Sequence, residues 1–351
     1  MNSKDMNNNN STIRLGDLVL ETGEFDPDDL LEIQGFEFGE NPEKLDVSFV
    51  IPVYNQEALI ASNLQSIVDH SKMRNEIIVV IDGCTDSTLQ QVLNWVENFS
   101  GATQNTQKVT LVVSSESHFE TISDMIGVSI ASGTYVLEVQ ADMTIEHPGF
   151  DQKLMQVLKE FDDVVMVSGR GTHSLNEVQP DRKVSKLRVY LEAQMSIWSY
   201  RLHVEELISR IKWRLSGAAG RLGPAVDFKV RNQDDKRVFL SQTVMRGPII
   251  FNKSKFLELG GFDTASFFLG NDDHDFSLRA WTKGNMRTAY TSVAFSSPLE
   301  AGSTRAEKTE LEKNKFQLLL AAYSLRQSSS ALFQHWNTEN ELPEPEIRLL
   351  S

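Results

Sequence analysis

From Leu45 onward the chain alternates short apolar runs with segments whose apolar residues recur every three or four positions. VSFVIPV (47–53), EIIVVI (76–81), VTLVV (109–113) and TYVLEV (134–139) predict strands. Between them, Leu59/Ile60, Leu64 and Ile67/Val68 mark one face of a helix. Ser87-Thr88-Leu89-Gln90 has capping-box spacing and opens a second, with Leu89, Val92/Leu93, Val96 and Phe99 inward. A third helical segment covers 119–131 and stops at Gly133. Further on, VVMVSG (164–169) predicts a strand and FSLRAW (276–281) a helix. Strands that are apolar on both faces and alternate with amphipathic helices predict a doubly wound α/β fold, with a mostly parallel sheet and helices on both faces.

Such sheets bind ligands beyond the carboxyl ends of their strands. Three of those ends are polar here: Tyr54-Asn55, Asp82-Gly83-Cys84-Thr85-Asp86 and Gln140-Ala141-Asp142. Asp82 and Asp142 are therefore expected at one edge of the sheet. Asp86 reads as a helix cap. The pattern divides the chain into an Asn-rich, then acidic segment (1–45), a ligand-binding half (46–150), a second half of the same domain (151–327) and a tail (328–351). The first 40 residues are expected to be dispensable for catalysis.

Charge and composition narrow the class. The net charge of −15 argues against a general nucleic-acid binder. Residues 1–46 hold 12 acidic and 3 basic side chains, whereas residues 201–237 hold 9 basic and 5 acidic ones. Cys84 stands alone, so no internal disulfide forms, which suits a reducing cytosol. No apolar run approaches the roughly 18 residues of a membrane span, and MNSKDMNNNNST has no signal-peptide core. A cytoplasmic location is expected. The basic segment ISRIKWRLSGAAGR (208–221) reads first as a solvated helix face, with an anionic acceptor or peripheral membrane contact as its alternatives.

Four motifs in order carry a more specific message: VSFVIPVYNQEALIASNLQSIV, EIIVVIDGCTDST, GTYVLEVQADM and GGFDTASFFLGNDDHDFSLRAWTKG. Over about residues 46–300 the chain resembles family 2 glycosyltransferases with the GT-A fold. The resemblance implies an inverting transfer of sugar from a nucleotide-sugar (UDP- or GDP-linked) to a saccharide or lipid-linked acceptor, in polysaccharide or glycolipid assembly. It also implies a divalent cation, Mn²⁺ or Mg²⁺, neutralising the departing diphosphate.

By the same resemblance Asp142 is the metal ligand and Gln140 replaces the first Asp of the Asp-x-Asp motif. Asp82 contacts the nucleotide base, and Pro52 and Tyr54 flank it. In Asn271-Asp272-Asp273-His274-Asp275, Asp273 takes the place of the catalytic base, with Asp272 and Asp275 beside it. Crowded carboxylates resist ionising together, which suits one of them to accept a proton. His274 reads as a spacer. The family's metal-site His has no counterpart in SSPLEAGSTR (296–305), where Ser296 or Ser297 stands in its place, and Ser303 and Arg305 are candidates to reach the diphosphate. Arg170 and His173 are candidates for the acceptor side. Gln140, together with Ile81 in place of a first Asp, also leaves open a catalytically silent donor-binding or scaffold subunit.

Overall fold

A computed structural model describes residues 9–38, 45–99, 105–173, 234–297, 310–338 and 341–351, with isolated positions between 175 and 208. The chain forms two compact units. The first comprises Met1–Gln152, Phe262–Asp272 and Phe295–Ser329, and the second Lys153–Gly261, Asp273–Ala294 and Ser330–Ser351.

In the first unit the sheet order is β1-β2-β5-β4-β3-β6. Its centre is the expected set of parallel strands: β3 (Val47–Val53), β4 (Asn75–Asp82), β5 (Thr106–Ser114) and β6 (Tyr135–Glu138). All eight residues of β4 are buried, as a central strand covered on both faces requires. The helices α2 (Ile60–His70), α3 (Thr88–Asn98) and α4 (Phe119–Ile130) fall between the strands. At α4 the helix packs so closely on the sheet that a Cβ on Gly127 would lie 2.3 Å from Val50 Cγ1.

The N-terminal segment differs from expectation. β1 (Asn9–Arg14), a single turn α1 (Leu15–Leu18) and β2 (Leu30–Glu37) extend this sheet, with β2 antiparallel to β5. The acidic side chains mask a second pattern. Leu15, Val19, Phe25, Leu31 and Phe36 are buried, and a fully buried side chain of this kind contributes on the order of 1.5–3 kcal/mol. Five of them rival the roughly 5–15 kcal/mol by which a domain is stable. Deleting residues 1–40 is therefore expected to abolish cooperative folding or lower Tm severely, as a thermal melt would show. A truncated chain melting like the full one would restore the dispensable reading.

In the second unit the order is β12-β8-β13-β10-β15. β8 (Val164–Ser168) runs parallel to β13 (Arg287–Thr291), and the pairs with β12 (Ile249–Asn252), β10 (Arg237–Ser241) and β15 (Glu346–Leu349) are antiparallel. The C-terminal residues, expected as a tail, thus supply an edge strand. A two-stranded ribbon pairs β9 (Thr172–His173) with β11 (Thr243–Val244). The helix predicted over 276–281 begins earlier, at Asp272, and runs to Gly284. Its acidic run is the first turn of a helix rather than a loop ahead of one, because carboxylates are favoured at a helix N-terminus. Among the described residues no helix is long and apolar enough to cross a membrane.

Candidate active site

In the first unit the parallel register sets Val53 beside Ile81, Asp82 beside Ser114 and Val50 beside Glu138. The carboxyl ends of β3 to β6 consequently line one edge, and Tyr54, Asp82 and Gln140 follow from it. Asp142 sits half-buried in the turn between β6 and β7 (Thr144–Ile145).

That turn is built from its own backbone and from α2. Met143 N–H donates to Gln140 O at 3.0 Å. Asn63 Nδ2 donates to Gln140 O at 3.0 Å and to Met143 O at 2.6 Å, and Ile145 N–H donates to Ser66 Oγ at 3.0 Å. Asn63 was not among the residues singled out in the sequence. Its signal is a polar side chain on the apolar face of α2, three residues from Ile60 and four from Ile67.

The motif's amide, Gln140 Nε2, donates to Glu120 Oε1 at 3.2 Å. Ser297 Oγ stands 3.4 Å from Asp142 Oδ2, and the adjoining strand β14 (Phe295–Ser296) pairs with β7. The hydroxyl thus meets the carboxylate at the position where the resemblance puts a histidine.

Among the described residues no group of three or more His, Cys, Asp or Glu side chains is placed to hold a metal ion. The donor set around Asp142, one carboxylate with a hydroxyl beside it, suits a small hard cation whose remaining ligands are substrate phosphates and water.

Asp82 is buried and turned inward. It accepts from Ser117 Oγ (2.9 Å), His118 N–H (2.6 Å) and Phe119 N–H (2.9 Å), using three of the roughly four acceptor positions of a carboxylate. This geometry suits a clamp on the turn 117–119 better than the direct base contact expected of it. Beyond β3, Pro52 and Tyr54 are half-buried. Asn55, with φ of 48°, accepts Thr85 N–H at 2.8 Å on its side chain, and its own N–H points to Cys84 Sγ at 3.4 Å. Burial pushes the Cys84 thiol up to about 12, so it is a neutral packing group rather than a nucleophile. Asp86 accepts from Thr88 N–H at 2.9 Å, as a cap should, and Ser87 makes no side-chain cap bond.

Of the three aspartates at the start of the helix Asp272–Gly284, Asp273 and Asp275 belong to the second unit. Asp275 is fully buried, paired with Arg279 Nε at 2.7 Å and accepting Leu332 N–H at 3.0 Å. Arg279 also donates to Leu259 O (2.8 Å) and Gly261 O (2.6 Å), holding a turn in which Gly260 and Gly261 have φ of 93° and 58°. Asp273 Oδ1 accepts His274 N–H at 2.8 Å. The imidazole reaches Thr243 Oγ1 (2.8 Å) through Nδ1, which is 3.5 Å from Asp273 Oδ1. Thr243 pairs with His173 in the β9–β11 ribbon. The guanidinium of Arg170 donates to Arg246 O at 3.4 Å. Asp272 belongs to the first unit and is buried. Ser303, Arg305 and most of the basic segment 208–221 lie outside the described residues.

Residues 48–210 match the glycosyl transferase family 2 model. This region is similar to the family 2 glycosyl transferases. A dolichyl-phosphate beta-glucosyltransferase of Trichomonas vaginalis is 25% identical over 212 residues, covering 57% of this chain and 58% of that protein. An uncharacterised glycosyltransferase of Synechocystis is 27% identical over 129 residues, covering 36% and 38%. The chain thus matches less than two thirds of the length of either relative. Among solved structures, a mannosyltransferase of Pyrobaculum calidifontis in complex with GDP-Man and Mn²⁺ is 16% identical, with a TM-score of 0.43 over 83% of this chain and 72% of that one. The family 2 region contains the Asp142 turn and its Asn63 support. The helix carrying Asp273 lies beyond it.

Proposed function

We propose that the protein is an inverting glycosyltransferase that moves a sugar from a UDP- or GDP-sugar to an acceptor hydroxyl. The observation that carries this reading is the Asp142 carboxylate, presented on a turn fixed by Asn63 at the carboxyl edge of four parallel strands. Asp142 and the donor's phosphates would hold the Mn²⁺ or Mg²⁺, which when bound neutralises charge on the leaving diphosphate.

Asp273 acts as the base. The acceptor oxygen attacks the anomeric carbon, its proton passes to the Asp273 carboxylate, and the bond to the diphosphate breaks with its electron pair on the leaving oxygen. Attack opposite the leaving group inverts the anomeric centre. Pro52 and Tyr54 border the nucleotide, while Asp82 shapes the site by holding the turn 117–119. Arg170 and His173 stand on the acceptor side, and Ser303 and Arg305 remain candidates for the diphosphate. A lipid-linked acceptor is favoured by the exposure of Leu187, Leu191, Met195, Trp198 and Leu202 within a stretch that leads into the basic segment. Such an acceptor would put the protein at the cytoplasmic face of a membrane, in glycolipid or polysaccharide assembly.

The test has two stages. UDP or GDP with Mn²⁺ is expected to raise Tm, since a ligand of the folded state stabilises it. Asp142→Ala should remove the metal-dependent part of that shift and leave the metal-free Tm unchanged. Transfer from UDP- and GDP-sugars is then assayed with dolichyl phosphate and with free saccharides as acceptors. Absence of any nucleotide-dependent shift in the wild type would remove the donor site. A shift without transfer or donor hydrolysis would instead favour the silent donor-binding subunit.

A further inference from the structure

The turn 117–119 beside the strand ends is held from two sides. On one side is Asp82, whose carboxylate takes the three hydrogen bonds described above. Approach there is so close that a Cβ on Gly83, where φ is 60°, would lie 2.5 Å from Ser117 N. On the other side is the N-terminal segment, through His118. This imidazole has no exposed surface. Its Nε2 is 3.0 Å from Asp29 Oδ2, just ahead of β2, and its Nδ1 is 3.7 Å from Asp82 Oδ1. Phe25 packs edge-on against the ring at 5.4 Å.

The next residue, Phe119, has φ of 64°, a conformation that bulky side chains seldom adopt and that costs on the order of 1–3 kcal/mol. It persists because Asp82 binds its N–H and because Phe119 is wedged against Phe25 and Phe268. A buried histidine between two carboxylates, next to a strained residue, is more than helix capping requires.

We propose that His118 is a positioning residue of the nucleotide site, which bridges Asp29 to Asp82 and so locks the turn 117–119 and the end of β4 in the shape that receives the nucleoside diphosphate. The proposal rests on the donor-binding reading above. It also gives the N-terminal segment a role in ligand affinity besides its burial.

The bridge is complete only while the imidazolium has protons for both carboxylates. Burial alone would lower the imidazole pKa, but Asp82 and then Asp29 outweigh it and raise the value above the ordinary 6.5. These two carboxylates are the titratable groups in contact with the ring among the described residues. The bridge is therefore fully present below the ordinary imidazole range. It is lost as pH rises through the raised value, when one nitrogen loses its proton and faces a carboxylate with a lone pair.

The experiment measures the Kd of UDP and GDP, with Mn²⁺, from pH 5.5 to 9 for the wild type, His118→Asn and Asp29→Asn. Wild-type affinity should weaken on the alkaline side. His118→Asn should bind about 10-fold more weakly at low pH, the lower end of what outer-sphere partners of a ligand contribute, and should lack that alkaline transition. Asp29→Asn should keep the transition but move it to lower pH, because one of the two charges that raise the imidazole is gone. Folded His118→Asn with wild-type affinity and wild-type pH dependence would overturn the proposal. If His118→Asn fails to fold, an unmoved transition in Asp29→Asn overturns it. Failure of the wild type to bind either nucleotide at any pH defeats the donor-site reading itself, an outcome distinct from wild-type binding that the variants leave unchanged.

Discussion

Asp273→Asn is expected to lower sugar transfer by roughly 10²–10⁴-fold, the range that positioned general bases contribute. The amide keeps the size of the side chain and can still accept His274 N–H through its oxygen, so the start of the helix should persist. It cannot take a proton from the acceptor at neutral pH. Donor affinity should change little, because a base in this role contacts the acceptor hydroxyl rather than the diphosphate. The kinetic signature is a fall in kcat with nearly unchanged donor KM. Near-wild-type transfer, or a defect mainly in donor KM, would remove Asp273 from the role of base.

How legible this protein is in its sequence depends on which forces shape each element. Strands β3 to β6 were legible because central parallel strands are apolar on both faces, and that run length survives any detail of the loops. The place of Asp142, just past a strand end, was legible because a carboxylate ending such a run is anomalous. Its neighbour Ser297 was placed only through the resemblance; 155 residues separate the two, and pairing of β14 with β7 joins them. The N-terminal segment was misjudged because Leu15, Leu31 and Phe36 are interleaved with acidic residues that dominate any local average. Asn63 escaped notice because a polar residue on an apolar helix face does not say which groups it bonds, here the backbone carbonyls of a turn 77 and 80 residues away. Asp82 showed the limit of reading a position by its place at a strand end. The edge was right, yet the direction of the carboxylate was set by the turn 117–119, whose approach no spacing rule encodes.

Asp275→Ala should cost about 3–5 kcal/mol of stability, the range for removing one partner of a buried ion pair. Arg279 is nearly as buried as Asp275, so the substitution leaves a guanidinium without its counter-charge. The carboxylate's second oxygen also holds Leu332 N–H, so a backbone donor loses its partner as well. Asp275→Asn should cost less than Asp275→Ala, since an amide can satisfy Leu332 N–H, but it still strips the charge facing Arg279. Adding Arg279→Met to Asp275→Ala should recover part of the loss, because apolar replacement of both partners of such a pair is often near neutral. Recovery should remain incomplete, as Arg279 also supplies the donors for Leu259 O and Gly261 O. Urea titration gives the three free energies, and the double-mutant comparison isolates the coupling. If Asp275→Ala melts within a degree of the wild type, or the second substitution deepens the loss by the full cost of Arg279→Met alone, the pair is not the anchor of this turn. Transfer per folded molecule should fall less in Asp275→Asn than in Asp273→Asn, separating the aspartate that holds the helix start from the one that takes the proton.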